Sequence, residues 1–150
     1  MAHKAIDIAK TFITFVNPEY GDFLSNLKIQ KLLYYAQGLN LALHNEPLFD
    51  EKIIAWQYGP VVEEVYYEFK KFSNGGIPPF EAHSNDILSD SEIDVLREVY
   101  DVFGQFSATK LVEMTHSETP WQTTKIRNEI TKPKLKQYFL TLIKDEQTEV

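Results

Sequence analysis

Apolar residues recur along the chain as helical stripes, separated by short polar or proline-containing joints. Ala5, Ile8, Ala9, Phe12, Ile13 and Val16 fall at helical spacing. Asn17-Pro18 ends that run, because a residue before proline is pushed out of helical geometry. A second helix is predicted from Asn26 to about His44. Between Leu32 and Leu43 it is apolar nearly all round, through Leu33, Tyr34, Tyr35, Ala36, Leu39, Leu41 and Ala42. A helix without a polar face belongs at the centre of a fold.

Glu46-Pro47 closes that helix, and residues 53–58, containing Trp56, read as a short extended piece. Gly59-Pro60 is expected to open a third helix, with Pro60 in the first turn, where its missing N–H is harmless. Val62, Val65, Tyr66, Phe69 and Phe72 form its stripe. Asn74-Gly75-Gly76 and Pro78-Pro79 then break the chain. The polar loop that follows, to about Leu88, is the only long one and the segment expected to be most mobile. Ser89-Asp90-Ser91-Glu92 is a capping box that starts a helix with Ile93, Leu96, Tyr100 and Phe103 inward, ending at Gly104. Ser107 caps the next helix, with Ala108, Leu111, Val112 and Thr115 on one stripe. Thr119-Pro120-Trp121-Gln122 reads as another helix start, with a threonine cap and proline first. A last helix from about Thr131 presents Leu135, Tyr138, Phe139, Leu142 and Ile143. The expected fold is mainly α: one domain over residues 1–150, with about seven helices around the central apolar helix 26–44. A small β element is expected near 48–58.

Composition narrows the function classes. The 150 residues are 43% hydrophobic and 25% charged, which is enough for one real core. The absence of cysteine removes disulfides, thiol nucleophiles and cysteine-ligated metal sites. No apolar run approaches the roughly 20 residues of a membrane span. Met1 to Lys10 does not read as a signal peptide, so a cytoplasmic location is expected. The net charge of −7 is unevenly spread: residues 81–118 carry nine acids and two bases, the rest nearly balance. Such a stretch would repel a phosphate backbone, so autonomous nucleic-acid binding is not expected. Lys132, Lys134 and Lys136 read as a solvated helix face.

The usual catalytic spacings are missing: there is no H-E-x-x-H, P-loop, G-x-G-x-x-G or G-x-S-x-G. His116-Ser117-Glu118 has the H-x-E spacing of zinc deaminases, but that chemistry also needs a P-C-x-x-C half, and the chain has no cysteine. His116 then has two readings. In one, a ring nitrogen bonds a backbone carbonyl or carboxylate and fixes a corner between helices. In the other, it acts as a base in a site with Glu118 and Trp121. Asp50-Glu51 and Glu63-Glu64 read as solvated charge. Tyr34, Tyr35, Trp56, Tyr58, Tyr66 and Tyr67 crowd one stretch of chain. A helix cannot bury both members of a Tyr-Tyr pair against one neighbour, so in one reading some of these rings reach the surface, where one protein grips another; in the other all are core, with their hydroxyls satisfied at its edge.

Several motifs occur together in a fixed order. Lys28-Ile29-Gln30-Lys31-Leu32-Leu33-Tyr34-Tyr35-Ala36-Gln37-Gly38 is followed by Pro47-Leu48-Phe49-Asp50, then by Ala55-Trp56-Gln57-Tyr58-Gly59-Pro60-Val61-Val62. Thr115-His116-Ser117-Glu118-Thr119-Pro120-Trp121 comes later. In these motifs, and in the closing helix from Ile130 through Phe139, the chain resembles the Panacea domain, also described as the SocA-like or GepA-like phage-associated family; the resemblance covers roughly residues 5–143. The resemblance implies a non-enzymatic antitoxin without cofactor or metal, which neutralises a protein toxin by direct contact. Toxins of that family's partners include translation inhibitors of the alarmone-synthetase-like kind. It also implies, for SocA-like members, an adaptor role delivering the toxin to a AAA+ protease. Some members carry an added DNA-binding segment; here the domain is expected to fill the chain, without operator binding. Whether the chain forms homo-oligomers is left open.

Lys31, Leu32, Tyr34, Tyr35, Trp56, Tyr58, Gly59, Pro60, His116, Pro120 and Trp121 match the family's motif positions, as scaffold or toxin contact. A constant scaffold meeting unrelated toxins would place its contacts elsewhere: in the 75–90 loop, the acidic 86–101 stretch or the chain ends. Asp90, Glu92 and Asp94 are the candidate acidic contact surface, within an acidic stretch of 81–101 that could steer onto a basic, anion-seeking toxin.

Overall fold

A computed structural model describes residues 2–16, 23–73, 75–80 and 83–148. Asn17-Pro18, Asn74 and Glu81 lie outside the described residues. Among those described there are seven α-helices and a three-stranded antiparallel sheet: α1 (Ala5–Thr14), α2 (Asn26–His44), β1 (Ile53–Trp56), β2 (Gly59–Val61), α3 (Glu63–Phe69), α4 (Asp90–Phe103), α5 (Ala108–His116), α6 (Thr119–Gln122), β3 (Glu129–Ile130) and α7 (Lys132–Thr148). Short 3-10 turns follow α3 at Lys70–Phe72 and precede α4 at Asn85–Ile87.

The central helix has the predicted limits. Ser25 accepts from the Lys28 N–H at its start, and Asn45 in left-handed geometry (φ 57°) ends it. It packs most extensively on α7, then on α4, and also touches α1, α3, α5 and β2. Being surrounded, it buries polar side chains too: Gln30, Lys31, Gln37 and Asn40. These serve as fixed hydrogen-bond partners for passing backbone. Gln37 accepts from Leu48 N–H (2.8 Å) and donates to the Phe49 carbonyl (2.7 Å). Gln30 accepts from Val62 N–H (2.9 Å). Leu43, on the expected apolar surface, is instead exposed at the helix end.

Pro60 does not open a helix. Gly59–Val61 forms β2, paired with β1 in the register Ala55 opposite Pro60 and Trp56 opposite Gly59, and α3 begins only at Glu63. Gly59 at φ 107° turns the chain back on itself, and an edge strand tolerates proline's missing N–H. β3 pairs with the other side of β1, so the strand order is β2-β1-β3. The capping box at Ser89 and Glu92 is present, as is the Ser107 cap. α4 buries Val95, Leu96 and Val99, while Ile93, Tyr100 and Phe103 are half-buried at its flanks. Thr119 does not cap α6: Glu118 is at the cap position, and its side chain is turned inward instead. The described part of the 75–88 loop is pinned through Ile77 N–H to the Leu24 carbonyl, Phe80 stacked on Phe69, and His83 against Thr11.

Several charges expected to be solvated have structural partners. Glu51 accepts from Ala5 N–H at the start of α1 (2.8 Å), and Glu63 accepts from Trp56 Nε1 (3.0 Å). Lys132, Lys134 and Lys136 donate to the Asp50 carbonyl, the Thr123 carbonyl and Asn45 Oδ1, tying α7 to its surroundings.

The closest helix contact predicts its own test. A Cβ on Gly38 of α2 would overlap the Phe139 ring of α7. Gly38→Ala is therefore expected to destabilise the protein by about 1–3 kcal/mol despite alanine's better helix propensity. Urea denaturation should show most of that loss removed when Phe139→Leu is added, because the two changes share one contact.

Candidate functional site

The motif residues converge on one region where α2, the β1–β2 hairpin, α5 and α6 meet. Tyr34 and Tyr35 are both fully buried. Both can be buried because α2 has neighbours on every side, not one; the rings of the aromatic set that do reach the surface lie elsewhere. The Tyr34 and Tyr35 rings meet edge to face at 5.0 Å, and Tyr35 stacks on Phe103 at 3.7 Å. Both hydroxyls donate to one carboxylate: Tyr34 to Glu118 Oε1 (2.9 Å) and Tyr35 to Glu118 Oε2 (2.8 Å). Burial raises the Glu118 pKa to about 7, against the lowering effect of the two hydroxyls. Burial and the nearby Glu118 charge together push both tyrosines up.

Lys31, one turn earlier on the same face of α2, is completely buried, and its Nζ donates to the Pro60 carbonyl (3.1 Å). Burial alone lowers its pKa to about 7. The space beside it is closed by Gly59: a Cβ there would sit 2.8 Å from Thr115 Oγ1 and 2.9 Å from Lys31 Cε. Gly59 is thus required by both its positive φ and its neighbours.

The late motif grips the same hairpin from the other side. His116 Nε2–H donates to the Gln57 carbonyl (2.8 Å), and Trp121 Nε1–H donates to the Trp56 carbonyl (2.8 Å). The two rings lie 4.1 Å apart. Pro120, between them in sequence, is buried. This is the backbone-carbonyl contact of the first His116 reading. Each ionisable group here is committed to an internal partner, and among the described residues no group of three or more histidines and acids could hold a metal ion. What the arrangement does is immobilise residues 56–62.

Tyr58 and Tyr67 are the members of the aromatic set that reach solvent. The acidic trio lies apart on α4. Asp90 and Asp94 are exposed. Glu92 is occupied, accepting from Ser89 N–H (2.8 Å) and pairing with His3 Nε2 (3.0 Å). Burial opposes its charge, but the Ser89 and His3 contacts prevail and hold its pKa below the ordinary value. Sequence reasoning provided no pairing for Glu118, Gln30 or Thr115. A signal for Glu118 existed: two adjacent tyrosines inside a buried helix need an acceptor, and an acid stands within the late motif.

The fold and this region define a helical scaffold that presents one clamped hairpin. The chain belongs to the Antitoxin SocA-like, Panacea domain family, whose match spans residues 29–122 and so contains Lys31, Tyr34, Tyr35, the β1–β2 hairpin, His116, Glu118 and Trp121. It is similar to Antitoxin SocA of Caulobacter vibrioides (strain NA1000 / CB15N), 36% identical over 113 residues. That match covers 65% of this chain and 58% of the relative, so the chain spans well under two thirds of that protein. No solved structure matches.

The two buried ionisable groups predict opposite pH limbs. Glu118 binds its proton more tightly folded than unfolded, so stability falls as pH rises from about 4.5 to about 7. Lys31 binds its proton more weakly folded, so stability rises from about 7 towards 10.5. Glu118→Gln should flatten the acidic limb and Lys31→Met the alkaline limb. Thermal midpoints across pH 4–10 check both.

Proposed function

We propose that this chain is an antitoxin that neutralises a protein toxin by direct, stoichiometric binding and carries out no catalysis itself. The observation that supports this most is its place in the Antitoxin SocA-like family, with the family match containing the whole clamped region. The structure agrees with a binding role: the buried groups are spent on internal contacts, and aromatic rings are left at the surface. Its mechanism is to cover the toxin's working surface, or to hold the toxin in an inactive conformation. A toxin of the kind that acts on RNA or nucleotides, including the alarmone-synthetase-like class, has a basic site that an acidic domain would approach quickly.

Co-expression tests this reading. The adjacent open reading frame is induced alone and then with this chain. Growth arrest by the neighbour, relieved by this chain together with a co-purifying complex, is the expected result. Rescue without a complex would exclude direct neutralisation. Rescue that requires a AAA+ protease would favour the adaptor role instead.

The acidic face of α4 has its own prediction. Asp90→Lys with Asp94→Lys, leaving Glu92 in its capping box, should slow association with the toxin by about tenfold at low salt, with little change in dissociation. Stopped-flow association at two ionic strengths checks it, and an unchanged on-rate would remove α4 from the recognition process.

A further inference from the structure

We infer that the tip of the β1–β2 hairpin, with Tyr67 on α3 and Ile126 and Arg127 before β3, is the face on which the partner toxin docks. The buried motif residues are positioning residues for that face. This rests on the antitoxin reading and names the surface and the chemistry it leaves open.

The hairpin is held far more firmly than a turn of two residues needs. Lys31, His116 and Trp121 each donate to a carbonyl, those of Pro60, Gln57 and Trp56, and Gln30 accepts from Val62 N–H. On the far side, Arg127 N–H donates to the Ala55 carbonyl (2.6 Å) and Ala55 N–H to the Asn128 carbonyl (3.0 Å). From this clamped backbone Tyr58 projects 63% exposed, with Tyr67 (60%) and Ile126 (48%) beside it. Neither tyrosine hydroxyl has a hydrogen-bond partner among the described residues. The rings border a groove of about 290 Å³ that Trp56 also lines. A backbone held before binding loses little entropy on binding, and tyrosine, tryptophan and arginine are the residue types that dominate protein–protein affinity.

Arg127 sets the chemistry of the occupant. It is the one charged residue lining this groove, it is exposed, and it has no acidic partner among the described residues. Its backbone is held in the left-handed region at φ 76°, a conformation non-glycine residues avoid unless their surroundings impose it. A guanidinium fork in a groove lined by Trp56, Tyr58, Tyr67 and Ile126 fits a toxin segment that presents an apolar or aromatic side chain beside a carboxylate. This docking contact is distinct from the steering assigned to α4: one holds the complex, the other speeds encounter.

The test uses the full chain and the product of the adjacent reading frame, with binding measured by calorimetry and neutralisation by growth. The Tyr58→Ala, Tyr67→Ala double variant and Arg127→Glu should each weaken binding by about tenfold or more, with unchanged thermal midpoints. Arg127→Lys should recover part of the loss. Val102→Ala and Leu142→Ala, at the exposed apolar groove beside α4 and α7, should bind like the unaltered chain. His116→Ala should weaken binding strongly in the Tyr58 background and weakly once Tyr58 is alanine, a coupling that a merely structural histidine would not show. Full binding by both groove variants overturns this inference alone. Groove variants that lose only self-association of this chain, with toxin binding intact, overturn it too. Absence of any complex with the unaltered chain overturns the antitoxin reading and the docking face with it.

Discussion

A helix surrounded on every side must find partners for its own polar side chains, and the arrangement of this protein follows from how α2 does so. Gln30, Lys31 and Gln37 have no route to water. An unpaired buried donor or acceptor costs about 1–3 kcal/mol, so each must meet a complementary group. Backbone packed against the helix supplies those groups: residues 48–49 for Gln37, Pro60 for Lys31 and Val62 for Gln30. The chain between α2 and α3 is thereby stitched to α2 residue by residue. The β1–β2 hairpin lies where that stitching places it.

The same logic explains Glu118. A carboxylate turned into the interior rather than over its own helix start is unfavourable unless donors meet it, and two tyrosine hydroxyls do so, one on each oxygen. That links α6 to the middle of α2 and brings His116 and Trp121 against the hairpin. Removing one member of such a set leaves the others buried without partners, so the group behaves as a unit. A scaffold built this way fixes the backbone near the surface tyrosines through several hydrogen bonds. Such an arrangement suits the binding role proposed for this chain.

Much of the fold is legible in the chain. The limits of α2, the capping box at Ser89, the Ser107 cap, the stripe of α1 and that of α7 apart from the exposed Leu142 follow from local patterns, because capping and helical periodicity depend on residues three or four apart. Pro60 is ambiguous in sequence because a proline after glycine is equally at home in a first helical turn and on an edge strand. Only the pairing with β1 and the Lys31 contact to its carbonyl separate the two. β3 leaves no signal: two residues have no periodicity, and their partner strand lies far away in sequence. Among the site residues, the motif positions are visible as a set, whereas the surface of Tyr58, Tyr67, Ile126 and Arg127 draws on three separate segments.

By itself, then, the sequence determined the helical class, the central helix and the exclusion of cysteine-based chemistry, since composition and short-range spacing act within a few residues. Only the tertiary structure decided which polar groups are buried, that Tyr34 and Tyr35 share one carboxylate, and which aromatic rings face solvent. Burial depends on what the rest of the chain brings alongside a residue. A hydrogen bond between positions more than eighty residues apart has no local trace.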